Sequence, residues 1–470
     1  MRDSLDRIEC PVSSGAKRFA ELPALICGDA TTSYVGLEQM VNAVAFQLRE
    51  AGVAYEERIA IISHNRLEYP ILLFAILRLQ AVACPISPRF PPESILSILR
   101  RIDCGTVFDP LNLLAHVPSN GIRKISLDAL FDAARLNGKR PRAEKAYLDS
   151  EGKATIILTS GSSGEPKAVS HSFANHYFSA LGSNKNITVF PGSRWLLALP
   201  LYHVGGLGIV FRTLMGGGAI VIPTNSKHIG KSIKEHGITH LSLVSTQLDR
   251  LLNEGLSTQT IQQLEAVLVG GGPTVSSLIA KAYDAGLPVH TTYGLTEMSS
   301  QVTTTSPEDR RDRLFTSGKV LDHRDLKVDN GQVFVKGKTL FKGYVKAGRT
   351  LLPVDDKGWF RTGDMGHIDS DGYLTLLGRQ DNMFVSGGEN VYPEEIEDTL
   401  CRLPDILQAV VIPIEDKEFG FRPVAFIKIE GNKAVDQGNI VSNLERYLPR
   451  FKIPVAFFKW PEKENINNAN

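Results

Sequence analysis

The segment Thr159-Ser160-Gly161-Ser162-Ser163-Gly164-Glu165-Pro166-Lys167 brings four hydroxyls, two glycines and a lysine together. The apolar, β-favouring run Ala154 to Leu158 precedes it and Ala168-Val169 follows, so the pattern predicts a loop between two buried strands. Gly161 and Gly164 let the backbone turn with its amides outward, the hydroxyls add donors, and Lys167 adds a positive charge; that set suits a polyphosphate. Ser and Gly clusters also form plain polar surface loops, but here Pro166 fixes the backbone where the charge emerges. No Gly-Lys-Ser/Thr follows the glycines, which excludes the Walker arrangement.

Other residues able to do chemistry lie downstream. Gly270-Gly271-Gly272-Pro273 and Tyr293-Gly294-Leu295-Thr296-Glu297 each follow an expected strand, and glycine-rich turns at strand C-terminal ends are where an open α/β sheet places ligands. Glu297 can hold Mg²⁺, an ion that takes one or two carboxylates beside phosphate oxygens, or it can cap a helix start. Asp364, in Thr362-Gly363-Asp364, can accept from two vicinal hydroxyls. His203 follows an apolar run and precedes a double glycine; it is either structural or steers a carboxylate. Arg212, nine residues further, either pairs with a buried carboxylate or snorkels from a helix surface.

The elements that must position these residues alternate. Helical spacing predicts helices over 34–51, 69–80, 210–215, 229–236 and 247–253, and strands are expected at 58–63, 81–86, 154–158, 195–199, 219–222, 240–244, 266–269 and 289–292. Such alternation indicates β-α-β units and a largely parallel sheet covered by helices. From about Lys319 short strands with Gly and Asp turns predict a small β-rich subdomain. After Gly378-Arg379-Gln380-Asp381-Asn382, Pro393 starts a helix with Glu394 and Glu395 in its first turn.

A chain of 470 residues should divide into at least two domains. Its 52 Lys plus Arg against 51 Asp plus Glu leave a net charge of +1, so an anionic partner must be held by a local site and a nucleic-acid-coating role is disfavoured. The cysteines, Cys10, Cys27, Cys84, Cys104 and Cys401, show no paired spacing and are expected to be reduced thiols. Acids in Met1 to Arg7 argue against a signal peptide, and Tyr69 to Ile86 is too short and interrupted to span a bilayer. The expectation is a cytoplasmic protein with no membrane insertion, its oligomeric state open.

These segments, in this order, resemble the adenylate-forming superfamily of acyl-CoA synthetases, luciferases and peptide-synthetase adenylation domains, over nearly the whole chain. The resemblance implies an α/β fold: a large N-terminal domain (1–378) of layered, mostly parallel sheets with helices and a β-rich subdomain, a hinge at 379–383, and a small mobile α+β domain (384–470). It implies ATP, Mg²⁺ and CoA as reactants. Lys167, His203 and Glu297 would be catalytic, with Glu297 the metal ligand. Thr159, Ser160, Gly161, Ser162, Ser163, Gly164, Lys167, Gly270, Gly271, Gly272, Pro273, Tyr293, Gly294, Thr296, Asp364 and Arg379 would contact nucleotide. Asp381 resembles the pivot, and Gly387 and Gly388 the lining of a pantetheine tunnel, where an ordinary glycine turn is the alternative.

The segments at 200–212, 245–252 and 295–303 look like the branch that activates o-succinylbenzoate for menaquinone biosynthesis, with His203, Arg212 and Gln301 as substrate-binding residues. Two alternatives stand beside it: a CoA ligase for another aromatic or medium-chain acid, and a catalytically impaired adenylate-binding homologue. The family's terminal Gly-Lys segment has no match here. Aligned by Trp460-Pro461, the lysine falls near Asn467, and Lys463 is out of place. Adenylation is therefore expected to be slower than thiolation.

Overall fold

A computed structural model describes residues 6–116, 121–136, 146–159, 166–223, 228–272, 275–346, 348–431 and 435–461. Alternation along the strands decides the layering. In Arg58–Ile62, Ile59 and Ile61 enter one core while Ala60 and Ile62 enter another. In Ala266–Val269, Ala266 and Leu268 share the first core while Val267 and Val269 face a third. Successive strand residues point to opposite faces, so each of these sheets is covered on both sides.

The first sheet has eight strands in the order Arg349–Leu351, Gly343–Lys346, Lys167–Ser172, Lys153–Thr159, Val82–Ile86, Arg58–Ile62, Thr106–Phe108 and Arg123–Lys124. The second has nine: Lys319–Val320, Ser300–Thr304, Val289–Leu295, Ala266–Val269, His240–Leu243, Arg194–Leu196, Ala219–Ile222, Pro23–Cys27 and Ala30–Ser33. The helices Tyr34–Glu50, Glu68–Arg78 and Val204–Gly216 fill the core the two sheets share. Glu68–Arg78 is buried from Tyr69 to Arg78, as a helix in a middle layer must be. Pro92–Arg101 covers the outside of the first sheet, and Ile229–His236, Ser245–Glu254 and Ser276–Asp284 cover the outside of the second.

A four-stranded antiparallel sheet, Arg324–Asp329, Gln332–Gly337, Phe360–Ile368 and Leu374–Arg379, forms the β-rich part. After it, Phe384–Ser386, Glu389–Val391, Ile406–Asp416, Gly420–Ile429 and Phe457–Lys459 make a five-stranded sheet that packs on the helices Pro393–Cys401 and Gln437–Leu444. The architecture is the expected α/β one, with a large N-terminal and a small C-terminal part.

Local boundaries differ from the sequence expectation where tertiary packing decides them. The strand expected over 195–199 ends at Leu196, because Asn65 donates to the carbonyls of Leu197 and Leu199 and accepts from the Leu201 amide, drawing that stretch off the sheet. The helix expected over 210–215 is Val204–Gly216 and starts immediately after His203. Its glycines, which suggest a loop, serve close packing: a Cβ at Gly206 would lie 2.2 Å from the Pro200 carbonyl oxygen. The five cysteines carry no disulfide. Among the described residues no helix is long and apolar enough to cross a membrane.

Candidate active site

The phosphate-type loop joins two antiparallel strands whose ends, Thr159 and Lys167, face each other in register. Ser160 to Gly164 lie outside the described residues. The next strand of the sheet, Gly343–Lys346, pairs with the Lys167 strand through Val169–Tyr344, which sets the exposed Lys167 Nζ 5.3 Å from the centre of the Tyr344 ring. The Tyr344 hydroxyl donates to Glu297 Oε1 at 2.6 Å. Burial first, then the adjacent Glu297 carboxylate, raises the Tyr344 pKa and keeps the phenol a donor.

Glu297 sits on the short 3₁₀ turn Thr296–Met298, directly after the strand Val289–Leu295. Three bonds fix that turn. His171 Nε2 lies 2.7 Å from the Thr296 carbonyl, the Phe341 amide donates to the Glu297 carbonyl at 2.8 Å, and Tyr344 holds the side chain. The helix-cap alternative for Glu297 does not apply, because its carboxylate accepts from Tyr344. No cluster of three or more His, Cys, Asp or Glu able to hold a metal occurs among the described residues. A single half-buried carboxylate beside a cationic lysine fits Mg²⁺ that arrives with phosphate oxygens.

The nucleotide-type residues form a second chain of contacts. The Tyr293 hydroxyl donates to Asp364 Oδ2 at 2.6 Å. Arg379 donates to Asp364 Oδ1 at 3.0 Å and to the Thr362 carbonyl at 2.9 Å, and its other arm reaches Asp381 at 3.5 Å. Tyr293, Asp364, Arg379 and Asp381 are thus contiguous. Gly270 to Gly272 follow their strand as expected; Gly271 has φ +85°, and a Cβ at Gly270 would lie 2.8 Å from the Thr292 carbonyl oxygen. Pro273 lies outside the described residues. A Cβ at Gly294 would come within 2.2 Å of the Ser300 carbonyl oxygen, so only glycine lets the Tyr293 strand and the strand Ser300–Thr304 meet there.

The helix Val204–Gly216 carries the acid-type residues. His203 precedes its first turn and packs edge-on against Tyr202 at 4.9 Å. Desolvation, then the charge of Arg89, lowers its pKa, leaving a neutral imidazole near neutral pH. Arg212 is 3% exposed, so it does not snorkel at the surface. Its Nε donates to the Gly208 carbonyl at 2.9 Å and its guanidinium lies 5.0 Å over the Trp195 ring. Desolvation pushes its pKa down to about 9, and no carboxylate among the described residues pairs with it. The Gln301 amide is engaged within the protein: its Oε1 accepts from Ser183 at 2.7 Å and its Nε2 donates to Thr304 at 2.8 Å.

Gly387 and Gly388, at φ +60° and +87°, form the exposed turn between Phe384–Ser386 and Glu389–Val391. Gly378, φ +144°, lies where a Cβ would meet Glu394 Oε2 at 2.4 Å, and Asn382 donates to Glu394 Oε1 at 2.6 Å, so the 379–383 segment is tethered to the first turn of Pro393–Cys401. Lys463 and Asn467 lie outside the described residues.

The AMP-binding enzyme family model matches residues 12–345, and the AMP-binding enzyme C-terminal domain model matches 395–464. The chain belongs to the AMP-binding enzyme family. The 2-succinylbenzoate–CoA ligase of Bacillus subtilis is 31% identical over 94% of this chain and 92% of its own length. Two solved structures of the Bacillus subtilis o-succinylbenzoate CoA synthetase superpose closely. The complex with the acyl-adenylate intermediate OSB-AMP has a TM-score of 0.85 at 30% identity, covering 97% of this chain and 96% of that one. The complex with ATP and magnesium ion has a TM-score of 0.83 at 30% identity with the same coverage.

Within this AMP-binding enzyme, several residues around the site carry no signal in the sequence. Arg324, 5% exposed, donates to the Gln301 carbonyl at 2.6 Å and to Ser179, and desolvation, then the charge of Arg212, lowers its pKa to about 9. His171 and His176 are buried and joined through Thr155, with His176 stacked on Phe211 at 5.1 Å. Ser299 and Ser300 adopt φ +56° and +112°, left-handed values rarely taken outside glycine. Each depends on contacts between separate elements or on backbone packing, which local patterns do not encode.

Proposed function

We propose that this AMP-binding enzyme is an ATP- and Mg²⁺-dependent acid–CoA ligase that adenylates o-succinylbenzoate and passes the acyl group to CoA, a step of menaquinone biosynthesis. The observation that carries the choice of acid is Arg212: a fully buried cation with no carboxylate partner among the described residues, on the helix that His203 opens. A buried charge calls for a counter-ion, and o-succinylbenzoate brings a second carboxylate. An octanoate or benzoate ligase has no use for that charge.

In the proposed reaction a carboxylate oxygen attacks the α-phosphorus of ATP and pyrophosphate leaves. Lys167 and the 159–167 loop bind the phosphates and offset charge that develops there. Mg²⁺, which Glu297 would hold, supplies further charge neutralisation when bound. Asp364, oriented by Tyr293 and Arg379, accepts from the ribose hydroxyls. The neutral His203 steers the reacting carboxylate and then yields space to the thiol. Rotation about Asp381 brings the Gly387-Gly388 turn to the site, where the CoA sulfur attacks the acyl carbon and AMP leaves, a gating motion of the kind that commits a substrate. The test is mass spectrometry of CoA thioesters formed with ATP, Mg²⁺ and CoA from o-succinylbenzoate, benzoate or octanoate. A thioester from o-succinylbenzoate in large excess is expected; equal yields from all three acids overturn the choice of acid.

A further inference from the structure

Two residues of the proposed reaction, Lys167 and Glu297, come from different sheets, and no hydrogen bond or ion pair joins them among the described residues. One side chain spans them. Tyr344 presents its hydroxyl to Glu297 Oε1 at 2.6 Å and its ring to Lys167 Nζ at 5.3 Å. Its ring is held edge-on by Phe341, centroids 4.9 Å apart at 68°, and Phe341 is 1% exposed and also meets Phe360 edge-on. The backbone of Phe341 donates to the Glu297 carbonyl, so the residues that fix the ring also fix the turn it addresses. Glu297 Oε2 has no hydrogen-bond partner among the described residues. A carboxylate oriented through one oxygen presents the other in a defined direction, and partners that orient a ligand in this way typically change metal affinity by about 10- to 100-fold.

We propose that Tyr344 is a positioning residue: its hydroxyl aims Glu297 at the metal that accompanies the triphosphate, and its ring holds the Lys167 ammonium beside it. The two contacts separate by mutation. Tyr344→Phe removes the hydrogen bond and keeps the ring under Lys167; Tyr344→Leu removes both. The assignment rests on Glu297 as the metal-holding carboxylate, so Glu297→Gln is the reference variant.

The experiment measures ATP binding by calorimetry with and without Mg²⁺, and Mn²⁺ binding in the ATP complex by EPR, with thermal unfolding as a check on folding. Tyr344→Phe is expected to weaken Mn²⁺ binding about 10-fold while metal-free ATP binding stays within about twofold; Tyr344→Leu is expected also to weaken metal-free ATP binding several-fold. Thiolation of preformed acyl-adenylate should not move in Tyr344→Phe. If Glu297→Gln weakens Mn²⁺ binding and Tyr344→Phe does not, the role of Tyr344 is refuted while the metal reading stands. If Glu297→Gln has no effect on Mn²⁺ either, the metal reading and the role of Tyr344 fall together. Tyr344→Phe preserves the packing, so it carries the test if Tyr344→Leu does not fold.

Discussion

Replacing Arg212 with Met should stabilise the unliganded protein and damage its use of a dicarboxylic acid. A guanidinium held at about 9 instead of 12.5 carries a desolvation cost of about 5 kcal/mol, at 1.36 kcal/mol per pKa unit. Against this stand the hydrogen bond to Gly208 and the stacking on Trp195, together about 2–3 kcal/mol. Met fills most of the same volume, so the net gain is about 2–3 kcal/mol, in keeping with the replacement of buried charges by apolar groups elsewhere. The charge is present at pH 7.5, below its value of about 9, so a buried carboxylate of the substrate loses its partner in the variant. Truncating one member of a buried charge pair costs about 2–5 kcal/mol, a fall of about 30-fold to several thousand-fold in kcat/KM for o-succinylbenzoate. Benzoate, with no second carboxylate, should change by less than about threefold. Urea denaturation and steady-state kinetics with both acids read the two signs. A variant that is less stable and equally impaired with both acids would falsify the reasoning and make Arg212 a packing residue.

Glu297→Gln, retaining volume and the Tyr344 contact, should slow ATP–pyrophosphate exchange by about 100- to 1,000-fold without shifting the unfolding midpoint by more than about 1 kcal/mol. Asp364→Asn removes one of the two ion pairs of Arg379 and should raise the KM for ATP about tenfold or more, with little change in the KM for the acid. Gly206→Ala drives a methyl into the Pro200 carbonyl and should cost about 1–3 kcal/mol of stability, with loss of activity as the His203 end of the helix shifts. Acid should unfold the protein steeply. His171, His240 and His290 are held down at about 4 by desolvation, with His176 also lowered well below 6.5. Each is neutral in the folded chain and protonates on unfolding, so their stabilisation is complete above 6.5 and is lost as the pH falls from 6.5 towards 4. Four such groups give a slope approaching about 5 kcal/mol per pH unit near pH 5, measurable as the fall in urea midpoint between pH 7 and 5.

The readable part of the site was the part written in consecutive residues. Strand, glycine turn and charge follow one another at Thr159 to Lys167 and at Tyr293 to Glu297, and the structure sets Thr159 opposite Lys167 and puts Glu297 on the turn directly after its strand. Gly205, Gly206 and Gly208 weaken the helical pattern before position 210, whereas in the fold Gly206 and Gly208 let the helix pack against Pro200 and Ser300. Gln301 has the polarity of a ligand-binding residue, yet Ser183 and Thr304 claim its amide. Tyr344 carries no local signal: a tyrosine in Phe341-Lys342-Gly343-Tyr344 looks like any strand aromatic until Val169 pairs with it and Glu297 arrives from another sheet.

The contacts from Lys167 through Tyr344 to Glu297, and from Tyr293 through Asp364 to Arg379, run across the ends of three separate sheets. A nucleotide bound along that line, as proposed, would act as a keystone, touching all three sheets in addition to the apolar core they already share. Its binding free energy is then also cohesion between layers, about 2.7 kcal/mol when ATP stands at a hundred times its Kd. The working enzyme, saturated with ATP, is in this sense a more tightly bound solid than the empty one, and its resistance to heat and proteolysis should follow the nucleotide concentration around it.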